Sequence, residues 1–233
     1  MKTNKNRREI INRRVLNGKI AALYEQISDP VQRRTAIVAL LKDNLQKGWE
    51  VIKKNFMDGA PGPEVAAASS YLIDQVITVT FEYVDQRIFP SVNPTAADRL
   101  ALIAVGGYGR GEMAPFSDVD VSFLHPWKLT PRAEQVVEYL LYIFWDLGLT
   151  IGHATRTIDE SIARAKKDVT ICTSLLEARF VCGDQLLFLE LQNRFKNEVV
   201  AGSGSDYLSA KLAERKTRHA QMGDSRYVVE PNV

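Results

Sequence analysis

The sequence is poor in cysteine and histidine. Two cysteines, Cys172 and Cys182, and three histidines are spread over 233 residues. Neither set shows the spacing of a zinc site, which needs about four ligands at short intervals. Both cysteines fall in stretches that read as helix and its end, so two reduced thiols are expected rather than a disulfide. Long apolar runs are missing too: none approaches the ~20 residues that cross a bilayer. The amino terminus carries charge but no apolar core of a signal peptide. There is no large excess of one charge either. Thirty basic side chains against 28 acidic ones give a formal net charge of +2. That imbalance implies neither a strong global field nor the clustered Lys/Arg of a nucleic-acid binder. The basic start (Lys2, Lys5, Arg7, Arg8, Arg13, Arg14) reads as a solvated helix start or tail. No nucleic-acid partner and no membrane are expected, and the cytoplasm is the expected location.

What remains is ordinary globular material, 45% hydrophobic and 25% charged. The first part is helical by pattern. Arg7 to Ile27 reads as a polar helix, broken by Asp29-Pro30. Ile37, Leu40, Leu41, Leu45, Trp49, Ile52 and Phe56 mark one face of a helix from Arg33 to Phe56. After the turn cluster "DGAPGP", Val65 to Ile88 reads as a third helix. Then the pattern changes. "LALIAVGG" is a short continuous apolar run, a buried strand. "DVDVSFL" alternates as a second strand. "PRAEQVVEYLLYIFWDLG" has the proline start and glycine stop of a helix, with Phe144 and Trp145 expected in the core. "LTIGHATRT" fits a third strand, and Ile158 to Gly183 reads as one or two helices. Another helix is expected from Lys211 to Met222. The expected class is α+β: a helical region over residues 1–97, a small mixed-sheet domain over 98–200 with helices on one face, and the start of a helical connector over 201–233.

The chemistry concentrates in "AVGGYGRGEMAPFSDVDVSF". Four glycines, Gly106, Gly107, Gly109 and Gly111, fall within six residues, and Asp118 and Asp120 follow. The glycine steps do not match a dinucleotide fingerprint, and no Walker lysine follows. A bare turn still suits phosphate, because backbone N–H groups can approach an anion closely. Arg110 adds a forked cation. On a strand, Asp118 and Asp120 face the same side. At ~5 Å and an effective dielectric of ~20, two such charges repel by roughly 3 kcal/mol. A divalent cation between them reverses that sign, and carboxylate oxygens are the ligands magnesium prefers. Ser117 is a candidate for phosphate or for capping the turn, and Tyr108 for stacking on a base or for packing.

"GGYGRG…SDVD" resembles the signature of polymerase-beta type nucleotidyltransferases, and more specifically that of the bacterial protein-PII uridylyltransferases. "YLIDQVI", "GHATRT", "DVTICTSLLEARFVCGD" and "YVVEPNV" are similar to segments of that family in the same order. The resemblance implies transfer of UMP from UTP to a tyrosine of the PII nitrogen-regulatory protein, releasing pyrophosphate, with Mg2+ as the cofactor. It places Asp118 and Asp120 as catalytic metal ligands, and Gly106, Gly107 and Arg110 at the nucleotide. Position 107 is glycine, so no serine hydroxyl is present there. The family scheme has a third carboxylate, often on the next strand. Here His153, Asp168 and Glu177 are the candidates for that place or for the general base. Relatives continue into an HD phosphohydrolase domain and two ACT domains, so this chain is expected to be a fragment, without uridylyl removal or glutamine sensing. Two alternatives are a protein adenylyltransferase and a non-catalytic nucleotide-binding module.

Overall fold

The structure, a computed structural model, describes residues 7–91, 93, 95–201 and 204–221. A helical turn at 7–10 precedes α1 (Arg13–Gln26). The polar helix expected from Arg7 to Ile27 is therefore divided, because the Asn12 side chain accepts the Val15 N–H and starts a helix afresh. Asp29 caps α2 (Pro30–Met57) in the same way, with Pro30 at the first helical position. α3 (Gly62–Tyr83) runs on through a π-helical turn, Val84–Ile88. Its Val76, Ile77 and Val79 are fully buried. Its buried hydroxyls are satisfied one turn back: Ser69 donates to the Val65 carbonyl and Thr80 to that of Val76.

The rest is built on four strands. β1 (Ala101–Ala104) is followed by a four-residue helix, α4 (Gly106–Gly109), and then β2 (Val119–His125). α5 (Pro131–Asp146) crosses over to β3 (Ile151–Thr157). Next come α6 (Ile158–Ala165), α7 (Val169–Leu176), β4 (Arg179–Gly183), α8 (Gln185–Phe195) and α9 (Gly204–Gln221). The strand order is β3-β2-β1-β4, with β2 and β3 parallel and β1 antiparallel to both of its neighbours. This is the expected α+β class with a mixed sheet.

Three expectations are corrected. The stretch from Ile158 to Gly183 is two helices and a strand, because Arg179–Gly183 satisfies the second edge of β1. Helices cover both faces of the sheet, not one. Leu102 and Ala104 of β1 share a core with α1, α2, α3 and α5, while Ala101 and Ile103 share another with α6 and α8. A strand that is apolar on both sides needs both sides covered. Trp145 is 49% exposed, whereas Phe144 is fully buried; successive residues on a helix point about 100° apart, and only Phe144 lies on the inner stripe.

The two cysteines are free and buried, as expected. Among the described residues, no helix is long and apolar enough to cross a membrane. The segment "YVVEPNV" lies outside the described residues.

Candidate active site

The glycine turn is fixed from below. The Val105 N–H donates to the Asp120 carbonyl at 3.0 Å, tying the end of β1 to β2. A Cβ at Gly109 would collide with the carbonyl oxygen of Glu177, so α4 meets the end of α7 backbone to backbone. Tyr108 is buried, and its hydroxyl donates to Asp74 Oδ1 at 2.7 Å. Of the two open readings for Tyr108, packing is what the structure shows. Arg179 on β4 grips both oxygens of Asp74 (2.8 and 3.0 Å) and donates to the carbonyls of Tyr108 (3.1 Å) and Gly109 (3.3 Å). A bidentate, half-buried pair of this kind is among the stronger polar contacts in a protein. Asp74 and Arg179 were not singled out from the sequence. The signal was present in "YLIDQVI", where one acid sits within an apolar stretch of a buried helix.

The two aspartates sit at the mouth of that turn. Asp118 is exposed, one residue before β2; Asp120 is half-buried, the second residue of β2. In the parallel pairing Asp120 lies opposite Gly152. A Cβ at Gly152 would fall on Asp120 Oδ1, and one at Gly106, where φ is +60°, would come within 3.3 Å of Oδ2. The Asp120 carboxylate thus lies between two bare backbone positions. Its burial pushes the carboxyl pKa up, and the negative charge of Asp118 pushes it further. Neither acid is in an ion pair among the described residues. Two carboxylates that repel, one of them desolvated and neither compensated, form a donor set that fits a hard divalent cation. Among the described residues, no third His, Cys, Asp or Glu joins them in a metal-sized cluster.

The other candidates are placed as follows. Arg110 pairs with Glu177 through Nη1 (2.8 Å) and with Glu112 through Nε (3.1 Å), and these carboxylates raise its pKa further. The Ser117 hydroxyl donates to the Ala114 carbonyl at 2.9 Å. A Cβ at Gly107 would make ordinary contacts with Arg110 Nη2 (3.7 Å) and the Glu112 carbonyl oxygen (3.9 Å). His153 pairs in register with Val121, which puts it on the face away from Asp120, edge-on to Trp145 at 6.5 Å. Asp168 caps α7, accepting from the amides of Thr170 and Ile171. Glu177 holds Arg110. The structure therefore brings Asp120 together with Gly106 and Gly152, with Asp118 close enough to repel it, ties Arg110 to Glu177, and leaves His153 and Asp168 out.

A strand, a glycine-headed helical turn and a strand opening on two acids match a known pattern. Residues 92–176 fit the family described as "Nucleotidyltransferase domain". The chain carries a nucleotidyltransferase domain. It is also 45% identical over 227 residues to the bifunctional uridylyltransferase/uridylyl-removing enzyme of Rhodospirillum rubrum, covering 97% of this chain and 24% of that protein. The enzymes of the same name from Phenylobacterium zucineum (48% over 213 residues; 91% and 23%) and Azospirillum brasilense (45% over 228 residues; 98% and 24%) are similar to the same extent. The chain thus spans about a quarter of the length of these relatives. Nucleotidyltransferase domains generally work with divalent metal ions, which agrees with the donor set formed by Asp118 and Asp120.

Proposed function

We propose that this nucleotidyltransferase domain transfers UMP from UTP to a tyrosine hydroxyl of a PII nitrogen-regulatory protein, releasing pyrophosphate. The observation that carries the reading is that the Asp118 and Asp120 carboxylates repel each other, neither in an ion pair among the described residues, with the Asp120 carboxylate between Gly106 and Gly152. Similarity to proteins named uridylyltransferase supports the choice of UMP. Asp118 and Asp120 would hold Mg2+. When bound, the ion supplies Lewis-acid stabilisation of charge on the transferring phosphoryl group and favours the ionised hydroxyl.

The chain's own groups do the positioning. Gly106 and Gly107 present bare backbone to the phosphates. Arg110 offers a fork of donors, after exchanging part of its hold on Glu112 for the incoming anion. The Asp74–Arg179–Tyr108 network keeps the turn from moving as charge enters it. Incubation with UTP, Mg2+ and a PII protein should add one UMP to PII by intact-mass spectrometry, and Asp118→Asn and Asp120→Asn should each abolish the adduct. No adduct with the unaltered chain counts against the reading.

The absence of a third acid from the pair among the described residues favours one further reading, a nucleotide-binding module without transfer. Mg2+-dependent binding of UTP in a thermal-shift assay, with no adduct on PII, supports that reading. ATP in place of UTP in the same assay tests adenylyl transfer.

A further inference from the structure

Phe116 takes no part in either core. Its side chain is fully exposed, and it is the one residue other than glycine with a positive φ (+67°) among the described residues. A bulky side chain is strained in that region, where glycine is not. The loop imposes the strain from both sides. Buried Met113 donates its N–H to the Ser70 hydroxyl at 3.1 Å. The Ser117 N–H (3.2 Å) and hydroxyl (2.9 Å) both donate to the Ala114 carbonyl. The loop is held while an aromatic ring is presented to solvent, two residues before Asp118.

Phe116 lines a cleft of about 900 Å³ between α2, α3, the 112–117 loop and the segment 148–150. Trp49, Ile52, Phe56 and Leu149 make the lining largely apolar, and Lys53 and Glu112 are its only charged residues among those described. Phe56, on the α2 wall, is about half exposed. Ser117 and Val119 line the cleft as well, so Asp118, between them, stands at its lip. The cleft is continuous with the reaction centre.

Two substrates need room beside Asp118. A nucleotide is charged, and its base is rich in donors and acceptors. The cleft offers these few partners, since the Ser117 hydroxyl is already used, and burying polar groups without partners is costly. A polypeptide acceptor fits better. With its tyrosine at the metal site, an extended chain advances ~3.3 Å per residue, which brings side chains two or three places from the tyrosine over the cleft. Exposed aromatic rings around an apolar hollow are the usual anchors of protein interfaces. The last described helix, α9, joins the core on the opposite face of the sheet through Tyr207 and does not cover the cleft. We infer that this cleft, with Phe116 as its anchor, docks the acceptor protein through apolar side chains flanking the tyrosine that receives the nucleotide. This rests on the transfer reading above. Phe116 is a positioning residue: it sets where the acceptor lies and leaves the contacts to metal and phosphate alone.

Steady-state UMP transfer to PII, and calorimetric binding of PII without nucleotide, test the assignment on the unaltered chain and on Phe116→Gly, Phe116→Leu and Phe56→Glu. UTP binding at fixed Mg2+ and thermal melts serve as controls. Phe116→Gly should raise both KM and Kd for PII about tenfold or more. Its KM for UTP stays unchanged and kcat at saturating PII stays within about twofold, as expected when binding alone is lost. Its melt is no lower, because glycine relieves the positive φ. Phe116→Leu recovers most of the affinity, and Phe56→Glu weakens PII by placing a charge on the opposite wall. Unchanged KM for PII in Phe116→Gly and Phe56→Glu overturns the docking cleft, and so does an equal rise in KM for UTP. If the unaltered chain binds PII through Phe116 but transfers no UMP, the cleft stands and the transfer reading falls. If PII is neither bound nor modified, both fall.

Discussion

Asp120 shows how one side chain depends on what its neighbours lack. Its carboxylate occupies the space that a methyl group at Gly152 would need. Gly152→Ala should therefore displace it, because no rotamer change at an alanine can relieve the overlap. The expected outcome is a folded protein that loses the Mg2+-dependent thermal shift with UTP, as Asp120→Asn does. Gly106→Ala should give a milder loss, since the contact with Oδ2 is 3.3 Å, although the positive φ adds strain. That Asp118 and Asp120 lie close enough to repel was legible in the sequence, because neighbours two residues apart need only local information. Gly152 was not. Its role comes from the register of β3 on β2, which no residue in "LTIGHATRT" announces. The same register turns His153 away from the aspartates.

Elements are joined here by a few polar ties, and these differ in weight. The Asp74–Arg179 pair links α3 to β4 and carries Tyr108 with it. Asp74→Ala leaves a half-buried guanidinium and a buried phenol without their acceptor. A destabilisation of about 1–3 kcal/mol is expected in urea melts. Lys47→Ala, which removes an exposed pair with Asp43 on α2, should cost at most ~0.5 kcal/mol. A second tie shows itself through pH. Hydrogen bonding to Arg99 holds the Asp184 carboxyl below its ordinary value, helped by the Leu186 and Leu187 amides. The unfolded chain then binds more protons in that range, so stability rises with pH. The contribution is complete above the unfolded value of ~3.9 and is lost as pH falls through the lowered folded value. The gap in urea midpoint between the unaltered chain and Arg99→Gln should be constant from neutrality to about pH 5 and close below about pH 4. β4 shows why some elements escape sequence reading. "ARFVCG" is a brief stretch directly after a helix, and it becomes a strand because β1 has an edge to offer. The helices announced themselves through long apolar stripes; a five-residue edge strand has too few residues to do so.

At the scale of the whole molecule, the helical region and the sheet share one core. Buried residues from Ile10 to Cys182 form a continuous cluster that includes Leu72, Val76, Leu102, Val121 and Leu140. A chain starting at residue 98 would expose that whole face of β1, β2 and α5. Such a fragment is expected to lose near-UV circular dichroism and bind a hydrophobic dye, while the intact chain melts in one transition. The apolar periodicity of the first helices and the continuous run of β1 together carried enough information for the class of fold. They could not show that both faces of the sheet are covered, because the partners of a buried strand are set by chain segments far away in sequence.

The Asp74 contact also alters how remote changes are felt. Because α3 grips the glycine turn through the Asp74 carboxylate, a bend or slide of that helix would be passed on to the loop where phosphates would rest. The bundle would thus act as a lever on the glycine turn. Ser70→Ala, which removes from the same helix, one turn before Asp74, the hydroxyl that accepts the Met113 amide, should slow UMP transfer without weakening nucleotide affinity in a turnover assay run beside a thermal-shift titration.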